Sequence, residues 1–225
     1  MFVTEMMKTD LVAVNPETKL SEAKALMEQG NFRHLPVMDA EGKLVGIVTD
    51  RDMRDAHPSS LLDEESYEKT LEMVMQRTIA EIMTKDPITI APYYTLQDTL
   101  LIIGKKKVGA LPVIDEEGHL KGIMSTRDLL RAFVNIMGIE EPGTLLCILV
   151  DEQPGQLKKI VDIAAEENVS MGSVLVARDW DTAKRAIFPY LLTNNVMSIK
   201  KKLLAQGFEL LDPMQWYLDQ SPKKK

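Results

Sequence analysis

The chain has 225 residues with a formal net charge of −7 and a pI of about 5.1. This acidic balance argues against nucleic acid as a main partner, because neutralising phosphates requires a basic surface. No apolar stretch approaches the roughly 20 residues of a membrane span, and the N-terminus lacks the basic and apolar regions of a signal peptide. We therefore expect a cytoplasmic protein of two or three small domains with no membrane segment.

Residues that carry enzymatic or metal chemistry are scarce. Cys147 is the single cysteine and lies in an apolar run, so we interpret it as a small buried hydrophobe. The three histidines, at 34, 57 and 119, form no metal-binding or protease motif. In Asp50-Arg51-Asp52 the arginine would hold both carboxylates ionised, which does not suit a general acid. We expect no catalytic residue, no metal site and no prosthetic group.

One pattern occurs twice, 76 residues apart. Gly46-Ile47-Val48-Thr49-Asp50-Arg51-Asp52 returns as Gly122-Ile123-Met124-Ser125-Thr126-Arg127-Asp128, and residues 6–53 align on 82–129 without an insertion. About a third of the aligned pairs are identical, which indicates a duplicated structural unit. The glycine, hydroxyl and carboxylate keep their order in both copies, so we infer that both copies bound the same ligand.

Each copy is predicted to fold as β-α-β-β-α. A short strand, 11–14 or 87–90, opens it, and a helix capped by Thr18 or Thr95 follows. Two strands then flank a tight turn, after which the repeated motif begins a second helix. So small a unit cannot bury both faces of its sheet, so we expect the two copies to pack together. A connector, 54–81, which contains a predicted helix, 64–76, joins them.

The repeated motif predicts a site for an anionic ligand. Glycine would let the backbone approach the ligand, and the hydroxyl lies where a strand turns into a helix, beside free N–H groups. A carboxylate three residues later can accept the hydroxyls of a ribose. The alternative is that the hydroxyl is only an N-cap and the carboxylate a solvated first-turn acid. The three positions are Gly46, Thr49 and Asp52 in the first copy and Gly122, Ser125 and Asp128 in the second.

The chain changes character after Met137. Glu140-Glu141-Pro142-Gly143 is a hinge-like break, and the following pattern predicts the order β-α-β-β-α-β, which is ferredoxin-like. A loop, 178–181, separates the two central strands, and the lysine-ended tail, 221–225, is expected to be disordered. The predicted strands are 144–150, 173–177, 185–192 and 208–211, and the predicted helices are 156–167 and 196–206.

These residues support a family resemblance. Met7 and Met83, the two Leu-Pro-Val-x-Asp strands and the repeated Gly-x-x-Thr/Ser-x-x-Asp motif resemble CBS domains, and a tandem pair resembles a Bateman module. The third region resembles an ACT domain, because Asp151-Glu152-Gln153-Pro154-Gly155-Gln156-Leu157 stands at a strand-to-helix turn. The order CBS-CBS-ACT is similar to that of bacterial regulatory proteins of acetoin utilisation. The implied fold class is α/β (α+β), with two CBS repeats packed as a pair and then a ferredoxin-like ACT domain.

The resemblance also implies domain boundaries. They are 1–60 for the first CBS repeat, 61–81 for a linker helix, 82–138 for the second CBS repeat, 139–215 for the ACT-like domain and 216–225 for the tail.

Ligand roles follow from the resemblance in the same way. Thr49 and Ser125 would bind phosphate, and Asp52 and Asp128 would bind the ribose of AMP, ADP or ATP held as a regulatory ligand. Adenine would occupy an apolar slot, and a small effector, such as an amino acid, would bind the ACT-like domain. The slot residues are Leu11, Val12 and Val37 in the first copy and Pro87, Ile88 and Val113 in the second; the effector residues are Asp151, Pro154 and Gly155.

Two further features bear on the ligand sites. Arg51 and Arg127 adjoin the motifs and could either bind phosphate in a forked geometry or pair with a nearby acid. His34 is replaced by Ala110 in the second copy, so the two sites cannot be chemically identical.

Three functions remain open from the sequence. The first is a homodimeric nucleotide sensor that signals to an unidentified target protein. The second is an oligomerisation scaffold whose CBS sites are empty, and the third is an amino-acid-responsive regulator in which the CBS pair is only a frame.

Overall fold

The computed structural model describes residues 1–177 and 184–212, and it divides into two compact units, 1–130 and 131–225. The predicted loop 178–181 and the predicted tail 221–225 lie outside the described residues. The division falls inside one helix, and each unit has its own hydrophobic core.

The first unit contains the two repeats, and each has the predicted helix, two-stranded hairpin and second helix. The hairpin turns rely on Gly42 and Gly118, which adopt the left-handed backbone (φ 80° and 90°) that glycine allows. The elements of the first repeat are α1 (Leu20–Gly30), β1 (His34–Met38), β2 (Leu44–Thr49) and α2 (Asp50–Asp55), and the connector contains α3 (Glu64–Met75). Those of the second repeat are β3 (Thr84–Lys85), α4 (Leu96–Lys106), β4 (Ala110–Ile114), β5 (Leu120–Ser125) and α5 (Thr126–Met137).

The predicted opening strands, 11–14 and 87–90, were wrong. Only their last residues pair with the hairpin, as single parallel bridges from Val14 to Val37 and from Ile90 to Val113. Pro16 and Pro92 follow two residues later and have no N–H to extend the ladder.

The helix caps were predicted correctly in one copy. Thr95 caps α4, where its Oγ1 accepts from the N–H of Asp98 at 3.1 Å. Thr18 does not cap α1; its hydroxyl donates to Asn15 and Lys19 occupies the cap position. The internal alignment already places Lys19 opposite Thr95.

The segment preceding each repeat packs on the other repeat. Val3 donates its N–H to the carbonyl of Tyr94 at 2.8 Å, and Ile79 donates to the carbonyl of Thr18 at 2.9 Å. Both side chains are fully buried. The connector residue Ile79 belongs to the core of the first repeat, so the exchange ties the two repeats into one body.

The strands also cross between repeats. Residues of β3 pair antiparallel with β2 of the first repeat, and Lys8 makes the equivalent bridge to Ile123 on β5. Ile47, Ala110 and Ile123 form a small buried cluster at this junction, and Leu11 packs against it.

Beyond α5, the described residues of the second unit form a five-stranded antiparallel sheet and two helices. Its strands are β6 (Thr144–Leu145), β7 (Ile148–Asp151), β8 (Met171–Ala177), β9 (Lys184–Leu191) and β10 (Glu209–Leu210), and its helices are α6 (Gln156–Glu166) and α7 (Met197–Ala205). The lateral order β10-β7-β9-β8 is that of a ferredoxin-like sheet, as predicted. Strand β6 lies on the same edge of β9 as β7 and keeps its register.

The predicted continuous strand 144–150 is therefore interrupted. The gap at Leu146 and Cys147 lies opposite Pro189 of β9, which can accept from the N–H of Leu146 at 3.1 Å but cannot donate a ladder hydrogen bond. Cys147 is partly buried, whereas the sequence predicted a buried residue, and this burial raises the pKa of its thiol.

In residues 1–177 and 184–212, no helix has the length and apolar content to cross a bilayer.

Candidate functional site

Two clefts in the first unit each contain one copy of the repeated motif. The Thr49 cleft, of about 650 Å³, is lined by Thr49, Arg51 and Asp52. The Ser125 cleft, of about 270 Å³, is lined by Ser125, Arg127 and Asp128. The structure thus brings the hydroxyl, arginine and carboxylate of each copy to one concave surface, as a ligand site requires.

Each cleft is completed by the other repeat. The start of the first hairpin, 31–34, faces the Ser125 motif, and the equivalent start of the second hairpin, 107–110, faces the Thr49 motif. A ligand in either cleft would therefore contact both repeats.

The hydroxyl and carboxylate of the first motif hold each other. The N–H and the Oγ1 of Thr49 both donate to Asp52 Oδ2, each at 2.7 Å, and the N–H of Asp52 donates to Thr49 Oγ1 at 3.3 Å. This is the capping box that starts α2. Thr49 is thus the N-cap of α2, and the same hydroxyl and carboxylate also line the cleft.

The second motif repeats this geometry. The N–H of Ser125 donates to Asp128 Oδ2 at 3.0 Å and its Oγ donates at 2.5 Å. Asp128 is buried, with 6% of its surface exposed. Among the described residues no hydrogen bond reaches the Oδ1 atom of Asp52 or of Asp128, so each carboxylate keeps an acceptor for a ligand.

The two motif glycines serve packing between the repeats. A β-carbon at Gly46 would lie 2.6 Å from Met83 Sδ, and one at Gly122 would lie 2.5 Å from Met7 Sδ. The space expected for a ligand is occupied by a methionine from the segment that crosses over. The expectation that these glycines admit a ligand was wrong, and the crossing also explains why Met7 and Met83 recur.

The predicted apolar slots are only partly assembled. Pro87 and Ile88 line the Thr49 cleft, whereas the prediction paired them with the Ser125 motif. Leu11 and Val12 line neither of the two clefts. The side chains of Val37 and Val113 are fully buried within their strands and line neither cleft, so the structure does not bring them into the predicted slots.

Arg33 and His34 were not predicted as central residues, yet both line both clefts. His34 Nε2 would lie 2.7 Å from a β-carbon placed at Gly109. Burial lowers the pKa of His34, with Arg33 acting in the same direction, while the Asp50, Asp128 and Asp52 carboxylates oppose the shift. The replacement of His34 by Ala110 was the sequence signal for this position.

The arginines of the two motifs are exposed and enter their clefts. Among the described residues, no ion pair joins Arg51 or Arg127 to a carboxylate. Of the two readings left open by the sequence, pairing with a nearby acid therefore has no support in the structure.

The predicted effector residues lie at the start of α6. Gly155 is its N-cap with φ 92°, a backbone that glycine adopts without strain. Asp151 ends β7, and its carbonyl accepts from Gln153 at 2.8 Å in an exposed turn with Pro154. The segment is therefore a strand-to-helix turn between β7 and α6, as the sequence predicted.

One acidic cluster meets the geometric criterion for a metal site. Asp115, Glu117 and His119 offer ligand atoms within 4.8 Å of one another. However, Lys121 Nζ lies 2.9 Å from Asp115 Oδ2 and holds the pKa of that carboxyl well below its usual range. Because Lys121 already forms an ion pair with Asp115, we interpret the cluster as a hairpin turn stabilised by ion pairing.

Comparison with known proteins identifies both repeats. The CBS domain family matches residues 3–59 and 79–135, which together are about half of the chain. A CBS domain-containing protein of Dictyostelium discoideum is 32% identical over 135 residues, covering 60% of this chain and 92% of the relative. Inosine-5′-monophosphate dehydrogenase of Korarchaeum cryptofilum is 38% identical over 120 residues, which are 53% of this chain but only 22% of the enzyme.

Solved structures of CBS-domain proteins superpose on part of this chain. CBSX2, a CBS-pair protein from Arabidopsis thaliana solved in complex with AMP, superposes with a TM-score of 0.51 at 27% identity, covering 60% of this chain and 97% of that one. A structure from Vibrio cholerae named as an acetoin utilisation protein has a TM-score of 0.52 at 28% identity, covering 63% of this chain and 98% of that one.

Proposed function

Because this chain belongs to the CBS-domain family, we propose that it is a regulatory protein that binds an adenine nucleotide in the clefts between its repeats. The observation that carries the proposal is the duplicated motif, since both copies present a hydroxyl, an arginine and a carboxylate to a cleft. The AMP complex of the Arabidopsis relative supports the choice of an adenine ligand.

The carboxylates are assigned to the ribose. Asp52 and Asp128 each commit Oδ2 to the capping box, and the remaining oxygen accepts a sugar hydroxyl. A charge-assisted hydrogen bond of this kind contributes about 1.5–3 kcal/mol.

The hydroxyls and arginines are assigned to the phosphate. Thr49 and Ser125 now donate their hydroxyl protons to the neighbouring carboxylates, so binding phosphate through them requires the hydroxyl to rotate. Arg51 and Arg127 need no such exchange, because no carboxylate competes for them among the described residues. Pro87 and Ile88 provide an apolar wall for the base in the Thr49 cleft.

The finer architecture is part of the same proposal. We assign 1–60 and 82–138 to CBS repeats, 61–81 to a linker, 139–215 to an ACT domain and 216–225 to a tail, in a homodimer that acts on a target protein. The ferredoxin-like sheet order and the turn at Gly155 support the ACT assignment. The similarity to the Vibrio structure supports a role in acetoin utilisation.

A second candidate function is amino-acid sensing by the second unit, with Asp151, Pro154 and Gly155 as the effector site. The observation that favours it is the exposed turn at the N-terminus of α6.

Thermal unfolding with a panel of nucleotides and amino acids separates the candidates. A ligand of the native state at 100 times its Kd stabilises the protein by about 2.7 kcal/mol. The proposal expects a shift with adenine nucleotides. A shift with amino acids alone would favour the second candidate, and no shift with either would favour the scaffold.

A further inference from the structure

We propose that Arg33 binds the nucleotide phosphate of either cleft, so that the two clefts compete for one guanidinium and the second nucleotide binds more weakly than the first. This inference rests on the proposed function and deepens it by adding a phosphate-binding residue that both clefts share. Arg51 and Arg127, which each line one cleft, keep their roles within those clefts.

Among the described residues, three line both clefts and form what we call the shared wall: Arg33, His34 and Gly109. Of these three, only Arg33 carries a permanent charge. Its side chain is exposed, and no ion pair within residues 1–177 and 184–212 joins it to a carboxylate. A phosphate in either cleft can therefore approach this guanidinium without displacing an acid, and arginine binds phosphate through paired N–H donors.

The shared wall exists because the two repeats differ at this point. With the offset of 76 residues, Arg33 and His34 align with Gly109 and Ala110, so the first repeat contributes two large side chains where the second contributes two small ones. His34 Nε2 would lie 2.7 Å from a β-carbon at Gly109, so glycine is what leaves room for the imidazole. Two identical repeats would supply one such arginine to each cleft, whereas this chain supplies one to both.

The main chain of the shared wall is attached to both motifs. The carbonyl of Arg33 accepts from the N–H of Asp50, the first residue of α2, at 3.1 Å. The carbonyl of Gly109 accepts from the N–H of Thr126, the first residue of α5, at 3.0 Å. Each motif is thus hydrogen-bonded to the shared wall where its helix starts, so a ligand at either helix start lies beside the shared wall.

The electrostatic environment of His34 shows that both motifs act on the shared wall. Burial lowers the pKa of His34 and Arg33 acts in the same direction, while the carboxylates of Asp50, Asp128 and Asp52 oppose the shift. The carboxylates of the two motifs therefore lie within electrostatic range of one side chain. Two phosphates bound beside these motifs would also lie within range of each other and repel. This repulsion acts in the same direction as the competition for Arg33.

Calorimetric titration of AMP into single-cleft variants measures the contribution of Arg33 to each cleft. Asp52→Ala leaves only the Ser125 cleft with its ribose-binding carboxylate, and Asp128→Ala leaves only the Thr49 cleft with its own. In each of these variants, Arg33→Ala should weaken AMP binding by about tenfold or more, because one charged hydrogen-bonding partner is lost. A loss confined to one cleft, or absent from both, would overturn the proposal.

The matched control for this substitution is Arg131→Ala, which removes the same charge elsewhere in the chain. Arg131 is exposed and lines neither cleft, so its substitution should leave AMP binding unchanged in both single-cleft variants. A loss as large as that caused by Arg33→Ala would show a general effect of net charge and overturn the specific role of Arg33.

The wild-type protein, with both clefts intact, tests the competition. Because one guanidinium serves one phosphate at a time, Arg33→Ala should weaken the first AMP-binding step and leave the second nearly unchanged. The product of the two wild-type dissociation constants should exceed the product of the two single-cleft constants by about fivefold or more, a typical coupling. Equal weakening of both steps, or a wild-type product that is not the larger, would overturn the competition.

Failure of the proposed function would give a different result. A wild type that gives no heat with AMP, ADP or ATP would contradict nucleotide binding itself, whereas AMP binding that Arg33→Ala leaves intact would overturn only the shared role of Arg33.

Discussion

At the scale of single residues, the motif glycines are explained by packing. A β-carbon at Gly46 would also approach the carbonyl oxygen of Thr84 to 3.2 Å, and a backbone atom cannot yield as a methionine side chain does. We expect Gly46→Ala to lower the free energy of unfolding by about 1–3 kcal/mol, measured by urea denaturation.

The chain offers a matched control for that substitution. Gly104 lies on α4 with no heavy atom within 4 Å of its would-be β-carbon, so Gly104→Ala should stabilise the protein by about 0.5–1 kcal/mol. Similar effects of the two substitutions would contradict the packing role of Gly46.

His34 gives the first unit a pH-dependent stability. Burial makes the folded pKa lower than the unfolded value of about 6.5, so just below that pH the unfolded chain binds more protons. Stability should therefore fall as the pH decreases from about 6.5 through the folded pKa. His34→Gln should reduce this fall, as measured by urea denaturation at about pH 7.5 and 5.5.

The control here is His119→Gln, since His119 lies at the exposed hairpin turn outside both clefts. If His34→Gln and the wild type lost the same stability on acidification, the buried imidazole would not be its source.

The sequence predicted which side chains the motif gathers but not their neighbours. Thr49 and Asp52 are adjacent on a helix start, so local periodicity suffices to place them together. Pro87 and Ile88 reach the opposite motif only because the repeats exchange segments, and sequence spacing within one repeat cannot show an exchange. Val37 and Val113 are fully buried, and the resemblance that assigned them to the slot does not indicate how deeply a strand residue is buried.

At the scale of secondary structure, helices and hairpins were predictable and the short paired segments were not. Hydrophobic periodicity and turn glycines mark α1, α4 and both hairpins over several residues. The segments 11–14 and 87–90 form one bridge each. Although their composition is typical of strands, Pro16 and Pro92 prevent the pairing from continuing. Pro189 on the neighbouring strand β9 likewise separates β6 from β7. Nothing in the sequence of 144–150 itself indicates this interruption.

The connector provides a test of the segment exchange. Ile79 is fully buried in the core of the first repeat, so Ile79→Ala should cost about 2–5 kcal/mol of unfolding free energy. Leu61, in the same connector, is 94% exposed, and Leu61→Ala should change stability by no more than about 0.5 kcal/mol. Equal small effects in chemical denaturation would show that the connector does not contribute to the core.

At the scale of the whole molecule, α5 links the ligand motif to the rest of the chain. It begins one residue after Ser125 and ends at Met137, so a ligand that favours one position of this helix can change the state of the second unit. We expect AMP to alter hydrogen exchange in residues 144–177 and 184–212, with a coupling of about 1–3 kcal/mol.

The control for that experiment is the Asp52→Ala/Asp128→Ala double variant, in which added AMP should leave the hydrogen exchange of residues 144–177 and 184–212 unchanged. Protection in the second unit that is identical with and without saturating AMP would contradict communication along α5 and favour a passive scaffold.

The central claim is that the paired clefts bind an adenine nucleotide through Asp52 and Asp128, and calorimetric titration with AMP tests it most directly. We expect a micromolar Kd, about −8 kcal/mol, with binding lost in the Asp52→Ala/Asp128→Ala double variant. Asp98→Ala is the matched control, because Asp98 forms the same capping box with Thr95 outside both clefts, and it should bind AMP as the wild type does. A double variant that binds AMP as tightly as the wild type, or a wild type that gives no heat with AMP, ADP or ATP, would contradict the claim.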